Sequence, residues 1–314
     1  MDLAALGWSD FFADPFRPYD EAGLIPGRVA TQFNRAYRVY TERGEISVAT
    51  SGSLRHHATR HTGLPVVGDW VAVRPNEQGG TIEAVLPRIS HFSRKAAGGA
   101  QQQLMAANVD TVFLVCGLDH EFDPGRVEPY LVMARESGAQ PVVMLNKADL
   151  VDDVGDRIRQ VESIANGAPV HAISSKFNDG IDIVRRYLHY GRTIALLGAS
   201  GTGKTTLINR LLGEERFQTG DVGPLDSKGR HTTTRRQLTV MAQGGILMDT
   251  PGMREFQPWE AEEDQPQHTA DFEVIEAQCR FSNCQHRKEP GCAVRRAIEE
   301  GRLEPARMQT FRRI

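Results

Sequence analysis

Gly198-Ala199-Ser200-Gly201-Thr202-Gly203-Lys204-Thr205 decides the reading of this chain. It follows the apolar run Thr193-Ile194-Ala195-Leu196-Leu197 and opens into Thr206-Leu207-Ile208-Asn209. A buried strand, a glycine loop and a helix in that order form the GxxxxGK[ST] phosphate loop. The glycines let backbone N–H groups converge on phosphate oxygens at a helix N-terminus. Lys204 is expected to place a point charge on the β- and γ-phosphates, and Thr205 to offer its hydroxyl to Mg²⁺. Residues 198–206 are the expected phosphate-binding set.

Upstream, Asn146-Lys147-Ala148-Asp149 ends another apolar run, Pro141-Val142-Val143-Met144-Leu145. This is the NKxD pattern that selects guanine. The Asp149 carboxylate can accept both guanine N1–H and the exocyclic amine, whereas adenine would leave it unpaired. Asn146 and Lys147 brace that loop. Ser174-Ser175-Lys176 follows the next strand, with the Ser175 N–H expected at guanine O6 and the Lys176 stem over the base. Downstream, Asp249-Thr250-Pro251-Gly252 is a DxxG element. Asp249 should hold Mg²⁺ through water, and the Gly252 N–H should sense the γ-phosphate.

The order is inverted: the base-reading half precedes the phosphate loop. The parts are complete but circularly permuted, which requires a cut between DxxG and NKxD and a join of the old termini. Permutation is tolerated because domain termini usually lie close together at the surface. Between the phosphate-loop helix and the next strand lies a long polar loop with Gly229-Arg230-His231-Thr232-Thr233-Thr234. It occupies the switch I position, so Thr233 is the expected Mg²⁺ cap. Met253 stands where Ras-like GTPases carry a water-orienting Gln, and a thioether cannot orient water. His231, neutral near pH 7, is the substitute within the chain. The expected catalytic set is Lys204, Thr233 and His231.

The flanks read differently. Residues 1–22 read as a loose arm, with Pro15 and Pro18 breaking any helix. Residues 23–96 hold five short alternating segments separated by turn residues, the pattern of a small OB-like barrel; an SH3-like barrel fits almost as well. Arg94 to Gly99 reads as a linker. Residues 97–256 alternate strands with helices expected near 125–137, 152–165, 180–189 and 203–212, an α/β architecture. In residues 257–314, Cys279-x4-Cys284-x-His286-x5-Cys292 offers three thiolates and one imidazole. That is a closed tetrahedral set for one structural zinc. Cys116 lies in an apolar strand and reads as inert core.

The formal net charge is −3, but its distribution is uneven. Residues 23–95 carry ten Arg/Lys against five Asp/Glu, and residues 279–314 carry nine against four. Residues 255–276 hold eight acids and no Arg or Lys. Two basic ends suggest a polyanion touched at both, although solvated surface charge would look the same. No run approaches the length of a membrane span, and no export signal is visible at Met1-Asp2-Leu3.

The basic barrel, the permuted NKAD, GASGTGKT, GRHTTT and DTPGMREF motifs, and the C-x4-C-x-H-x5-C segment together resemble the RsgA (YjeQ) family of ribosome small-subunit-dependent GTPases. The resemblance covers residues 23–310. It implies a cytoplasmic enzyme, expected to be monomeric, that binds GTP and GDP. It also implies that the 30S subunit stimulates hydrolysis during late assembly, with barrel and zinc segment on rRNA. Two other readings stay open at this point. One is a permuted GTPase acting on the large subunit; the other is a GTP-regulated RNA-binding module with negligible turnover.

Overall fold

The computed structural model describes residues 1–33, 36–58, 63–95, 102–120, 122–213, 237–242 and 244–249, together with 292, 293 and 296. The chain divides into two compact units, Met1–Pro258 and Trp259–Ile314. In the second unit, Cys292 and Ala293 are buried.

The first unit is built on one continuous sheet. Strands β1 (Ile25–Gln32), β2 (Ala36–Thr41), β3 (Gly44–Thr50), β4 (Trp70–Asn76) and β5 (Gly79–Val85) pair in the order β1-β2-β3-β5-β4, and β4 closes back onto β1. This is a five-stranded barrel in which β3 and β5 run parallel and all other neighbours antiparallel. Helix α2 (Gly52–His57) lies between β3 and β4 in the chain. Val29, Tyr37, Val39, Val48, Val71, Val73 and Ile82 fill the interior. Their alternation along each strand is what turns one face inward.

The second half of the sheet comprises β8 (Thr111–Gly117), β9 (Gln140–Asn146), β10 (Val170–Ala172), β11 (Thr193–Leu197), β12 (Gln237–Val240) and β13 (Ile246–Asp249), in the order β10-β9-β8-β11-β13-β12. All run parallel except β12. Val112 and Leu114 of β8 pack into one apolar layer, with Leu131 and Ala134 of α3 (Glu128–Glu136) and Val161 of α4 (Val154–Ala165). Phe113 and Val115 pack into the opposite layer, with Val184 of α5 (Ile181–Arg185) and Leu207 and Leu211 of α6 (Lys204–Leu212). Burial on both faces explains the unbroken apolar runs of these strands. The α5 helix is shorter than expected, and α3 follows a separate 3-10 turn at Pro124–Arg126.

Two expectations are corrected. Residues 1–22 are not a loose arm: α1 spans Asp10–Glu21 and contains both Pro15 and Pro18. Phe12 and Phe16 are buried, and Trp8 packs edge-on against Trp70 of the barrel with ring centroids 4.7 Å apart. Pro18 is exposed and Pro15 half-buried, and the carbonyls they leave unbonded belong to Phe11 and Asp14, both exposed residues that water can serve. Arg94 and Lys95 are likewise not linker but the end of β6 (His91–Lys95), which pairs with β7 (Gln102–Ala107).

Barrel and α/β half meet at a buried polar junction. Arg28 is only 2% exposed. Its guanidinium donates to Asn108 O and Thr193 Oγ1, each at 2.8 Å, to Gly68 O at 3.4 Å and to Leu6 O. Burial lowers its pKa to about 10, with Asp110 and Asp69 pulling it back up. Nearby, Arg88 grips the fully buried Asp69 through two bonds of 2.7 Å. Burial pulls Arg88 down, but the Asp69 bond and charge outweigh it and leave it raised. A single β1–β12 pair, Thr31 opposite Gln237, carries the ladder across the junction.

The join of the old termini falls between α5 and β11. The N-terminal segment lies on it: a Cβ on Gly191 would come within 2.5 Å of Ala4 O, and one on Gly7 within 2.6 Å of Gly191 O.

Candidate active site

Strands β8, β9 and β10 step outward in one direction, while β11 and β13 step in the other. The reversal between β8 and β11 opens a crevice beyond their C-terminal ends, where open α/β sheets bind ligands. Four of the sequence motifs begin at strand ends on this edge. Asn146 is the last residue of β9, Ser174 lies two residues beyond β10, Gly198 follows β11, and Asp249 ends β13.

Asn146 joins three of them. Its Nδ2 donates to Thr202 O in the glycine loop at 2.8 Å. Its Oδ1 accepts from the Ser175 N–H at 3.0 Å and from the Ser175 hydroxyl at 2.9 Å. Gly203 makes room for this contact, since a Cβ there would stand 2.2 Å from Asn146 Nδ2. Its φ of 92° is also one that L side chains rarely adopt. The Ser175 N–H, expected at guanine O6, is therefore committed to Asn146.

Asp149 accepts a 2.5 Å bond from the Ser174 hydroxyl, which in turn accepts from the Phe177 N–H at 3.3 Å. Lys147 adopts a left-handed φ of 65° and pairs with Asp119 at 2.6 Å. Lys176 lies over the Phe177 ring, 5.1 Å from its centroid, and Phe177 is 64% exposed. The base-reading residues thus form one hydrogen-bonded rim, with Asp149 and Lys176 on adjoining loops.

In the glycine loop, Lys204 starts α6 and is buried. Its ammonium donates to Gly198 O at 2.7 Å, to Ala199 O, and to Thr202 Oγ1 at 3.4 Å. Thr205 and Thr206 follow in the first turn of α6, and Ser200 and Gly201 belong to the loop before it. Backbone pairing puts Asp249 at the end of β13, directly beside β11. Burial pushes the Cys116 thiol up to about 12, although the Lys204 charge pulls it down; a neutral thiol fits inert core.

Two residues here escaped the sequence reading. Asp119 lies two residues beyond β8, a strand-end position that could have flagged it. Arg210, on α6, donates from Nε to Ser175 O and from Nη2 to Lys176 O, both at 3.1 Å. Its partners are main-chain carbonyls, which leave no trace in sequence. Gly252, Thr233, His231 and Met253, together with Cys279, Cys284 and His286, lie outside the described residues. Cys292, the fourth expected zinc ligand, is 6% exposed. Among the described residues no helix is long and apolar enough to cross a membrane.

A family model described as RsgA GTPase matches residues 85–259. The small ribosomal subunit biogenesis GTPase RsgA of Opitutus terrae is 45% identical over 326 residues, covering 100% of this chain and 89% of that protein. The protein of the same name from Syntrophotalea carbinolica is 39% identical, covering 99% and 88%. Among solved structures, YjeQ from Thermotoga maritima matches with a TM-score of 0.57 and 29% identity, covering 92% of this chain and 96% of that one. YloQ, a circularly permuted GTPase, shares the fold with a TM-score of 0.52 at 23% identity over 91% and 92% of the chains.

Proposed function

Because this chain belongs to the RsgA GTPase family and is a GTPase, we propose that it acts in biogenesis of the small ribosomal subunit, as the names of its relatives state for them. The observation that carries the reading is the Asn146 amide, which ties the base-reading strand end to both the Ser174–Ser175 loop and the phosphate loop. A loop triad joined in that way selects a guanine nucleotide and holds its phosphates as one problem.

Asp149 reads the guanine N1–H and amine, with Asn146, Lys147, Ser174, Ser175 and Lys176 shaping the base site. Residues Gly198 to Thr206 wrap the phosphates, and Lys204 takes the β/γ charge. Mg²⁺ enters with GTP. The Thr205 hydroxyl at the start of α6 and the Asp249 carboxylate at the end of the neighbouring strand are hard oxygen donors of the kind the ion takes. Thr233 completes that set, Gly252 senses the γ-phosphate, and His231 positions water in place of the absent Gln.

The barrel, with β3 parallel to β5 and a helix before β4, is OB-like and is the rRNA-binding unit; its basic surface suits a phosphate backbone. The segment Cys279, Cys284, His286 and Cys292 holds one zinc, measurable as one equivalent by metal analysis. The protein works as a cytoplasmic monomer that cycles between GTP and GDP on the 30S particle.

Phosphate release measured with purified 30S or 50S subunits tests this reading. We expect slow intrinsic turnover and strong stimulation by 30S alone. Equal stimulation by 50S, or none by either, overturns it.

A further inference from the structure

Arg210 lies six residues beyond Lys204 on the helix that carries the phosphate loop, yet its guanidinium points at the base-reading loop. Nε and Nη2 grip two successive carbonyls, Ser175 O and Lys176 O, each at 3.1 Å. A guanidinium fork spans two neighbouring acceptors in a fixed plane; an ammonium does not.

The C=O of one residue and the N–H of the next belong to the same planar trans peptide and point in opposite directions. Holding Ser175 O toward α6 therefore aims the Lys176 N–H away from α6. The neighbouring donors are already used: the Ser175 N–H bonds Asn146 Oδ1 at 3.0 Å, and the Phe177 N–H bonds Ser174 Oγ at 3.3 Å. Ser174 Oγ in turn bonds Asp149. The peptide between Ser175 and Lys176 is thus fixed on its carbonyl side by Arg210 and flanked by loop bonds that end at Asp149.

We propose that Arg210 is a positioning residue for guanine selection: it orients the Ser175–Lys176 peptide so that the Lys176 N–H donates to the 6-oxo group of the base. This rests on the guanine-nucleotide reading above and refines it. Discrimination at the two ends of the base then has two separate sources. Asp149 reads the 2-amino end, and the peptide held by Arg210 reads the 6-oxo end. Arg210 also acts as a second strap, beside Asn146, between the phosphate-loop helix and the base-reading loop.

The test is calorimetric binding of three diphosphates to wild type, Arg210→Ala and Arg210→Lys. Guanosine diphosphate carries both groups, inosine diphosphate lacks the 2-amino group, and 2-aminopurine riboside diphosphate lacks the 6-oxo group and with it the N1–H, a loss at Asp149 that is the same in every variant. Wild type should prefer guanosine diphosphate over both analogues; failure to do so sinks the guanine reading itself, not this refinement alone. In Arg210→Ala the preference over the 2-aminopurine nucleotide should shrink at least about tenfold, while the preference over the inosine nucleotide holds. A residue of purely structural value would weaken all three ligands together and leave both ratios unchanged; that result, or unaltered binding, overturns the proposal. Arg210 is exposed, so the core stays intact. Arg210→Lys, which keeps the charge but not the fork, should fall with Arg210→Ala, and full retention of the wild-type ratio in the Lys variant refutes the fork argument.

Discussion

A single primary amide organises the site. Asn146 donates to one loop and accepts from another, and each bond lies between residues far apart in sequence. Asp149 carries the specificity that this scaffold presents. Asp149→Asn swaps an acceptor for a donor toward N1–H and the amine, so guanosine nucleotides should bind at least about a hundredfold more weakly, and xanthosine nucleotides should bind instead. Competition binding with both nucleotides checks this. Gly203→Ala should be worse for the whole site, because the added methyl meets Asn146 Nδ2 at 2.2 Å in a strained backbone conformation. We expect nucleotide binding to fall below detection by calorimetry while circular dichroism stays near wild type. These residues were legible because the chemistry of phosphate and guanine fixes their types and spacings. Asp119 was marked only by its place just beyond a strand end, and Arg210 not at all, because a grip on main-chain carbonyls imposes no local pattern.

Among the elements, α1 shows where local rules give way to packing. Pro15 and Pro18 argue against a helix, yet Phe12, Phe16 and Tyr19 recur at i, i+4 and i+7, and that apolar stripe wins. Burial of two phenylalanines outweighs the lost hydrogen bonds, which fall on the wet side. Phe12→Ala should therefore cost about 3–5 kcal/mol in denaturant unfolding. Pro18→Ala, on the exposed face, should shift the midpoint by much less in either direction. The β6–β7 hairpin was missed for a related reason. The residues next to its turn, Arg94, Lys95, Gln102 and Gln103, are polar in type, while Phe92 and Leu104 to Ala107 are buried. The parallel strands β8, β9 and β11 were plain in sequence because both of their faces are covered. The barrel strands were plain as segments, but their order was not: β3 pairs with β5 across α2 and β4, and no periodicity records that.

Across the whole molecule, barrel and α/β half are joined more by polar chemistry than by strand pairing. Arg28 bonds the N-terminal turn, the β-turn at Gly68, the turn at Asn108 and the start of β11 at once. Arg28→Met keeps the apolar stem but removes the guanidinium donor from Leu6 O, Asn108 O and Thr193 Oγ1, while Gly68 O keeps its bond from Asn108 Nδ2. A loss of about 3–5 kcal/mol is expected. The wild-type first unit should unfold in one step, and the variant in two, with the barrel melting separately. Differential scanning calorimetry distinguishes the cases; a single transition at an unchanged temperature would show that the guanidinium is not what couples the halves.

The close fit of Ala4 and Gly7 against Gly191 also bears on ancestry. A rearranged gene can in principle be rearranged back, by cutting the chain at the seam and fusing the present ends. Here the seam is roofed by Ala4 and Gly7, and no side chain fits at Gly191 beneath them. Reopening it would expose both the seam and its roof in the same step, before any new connection could compensate.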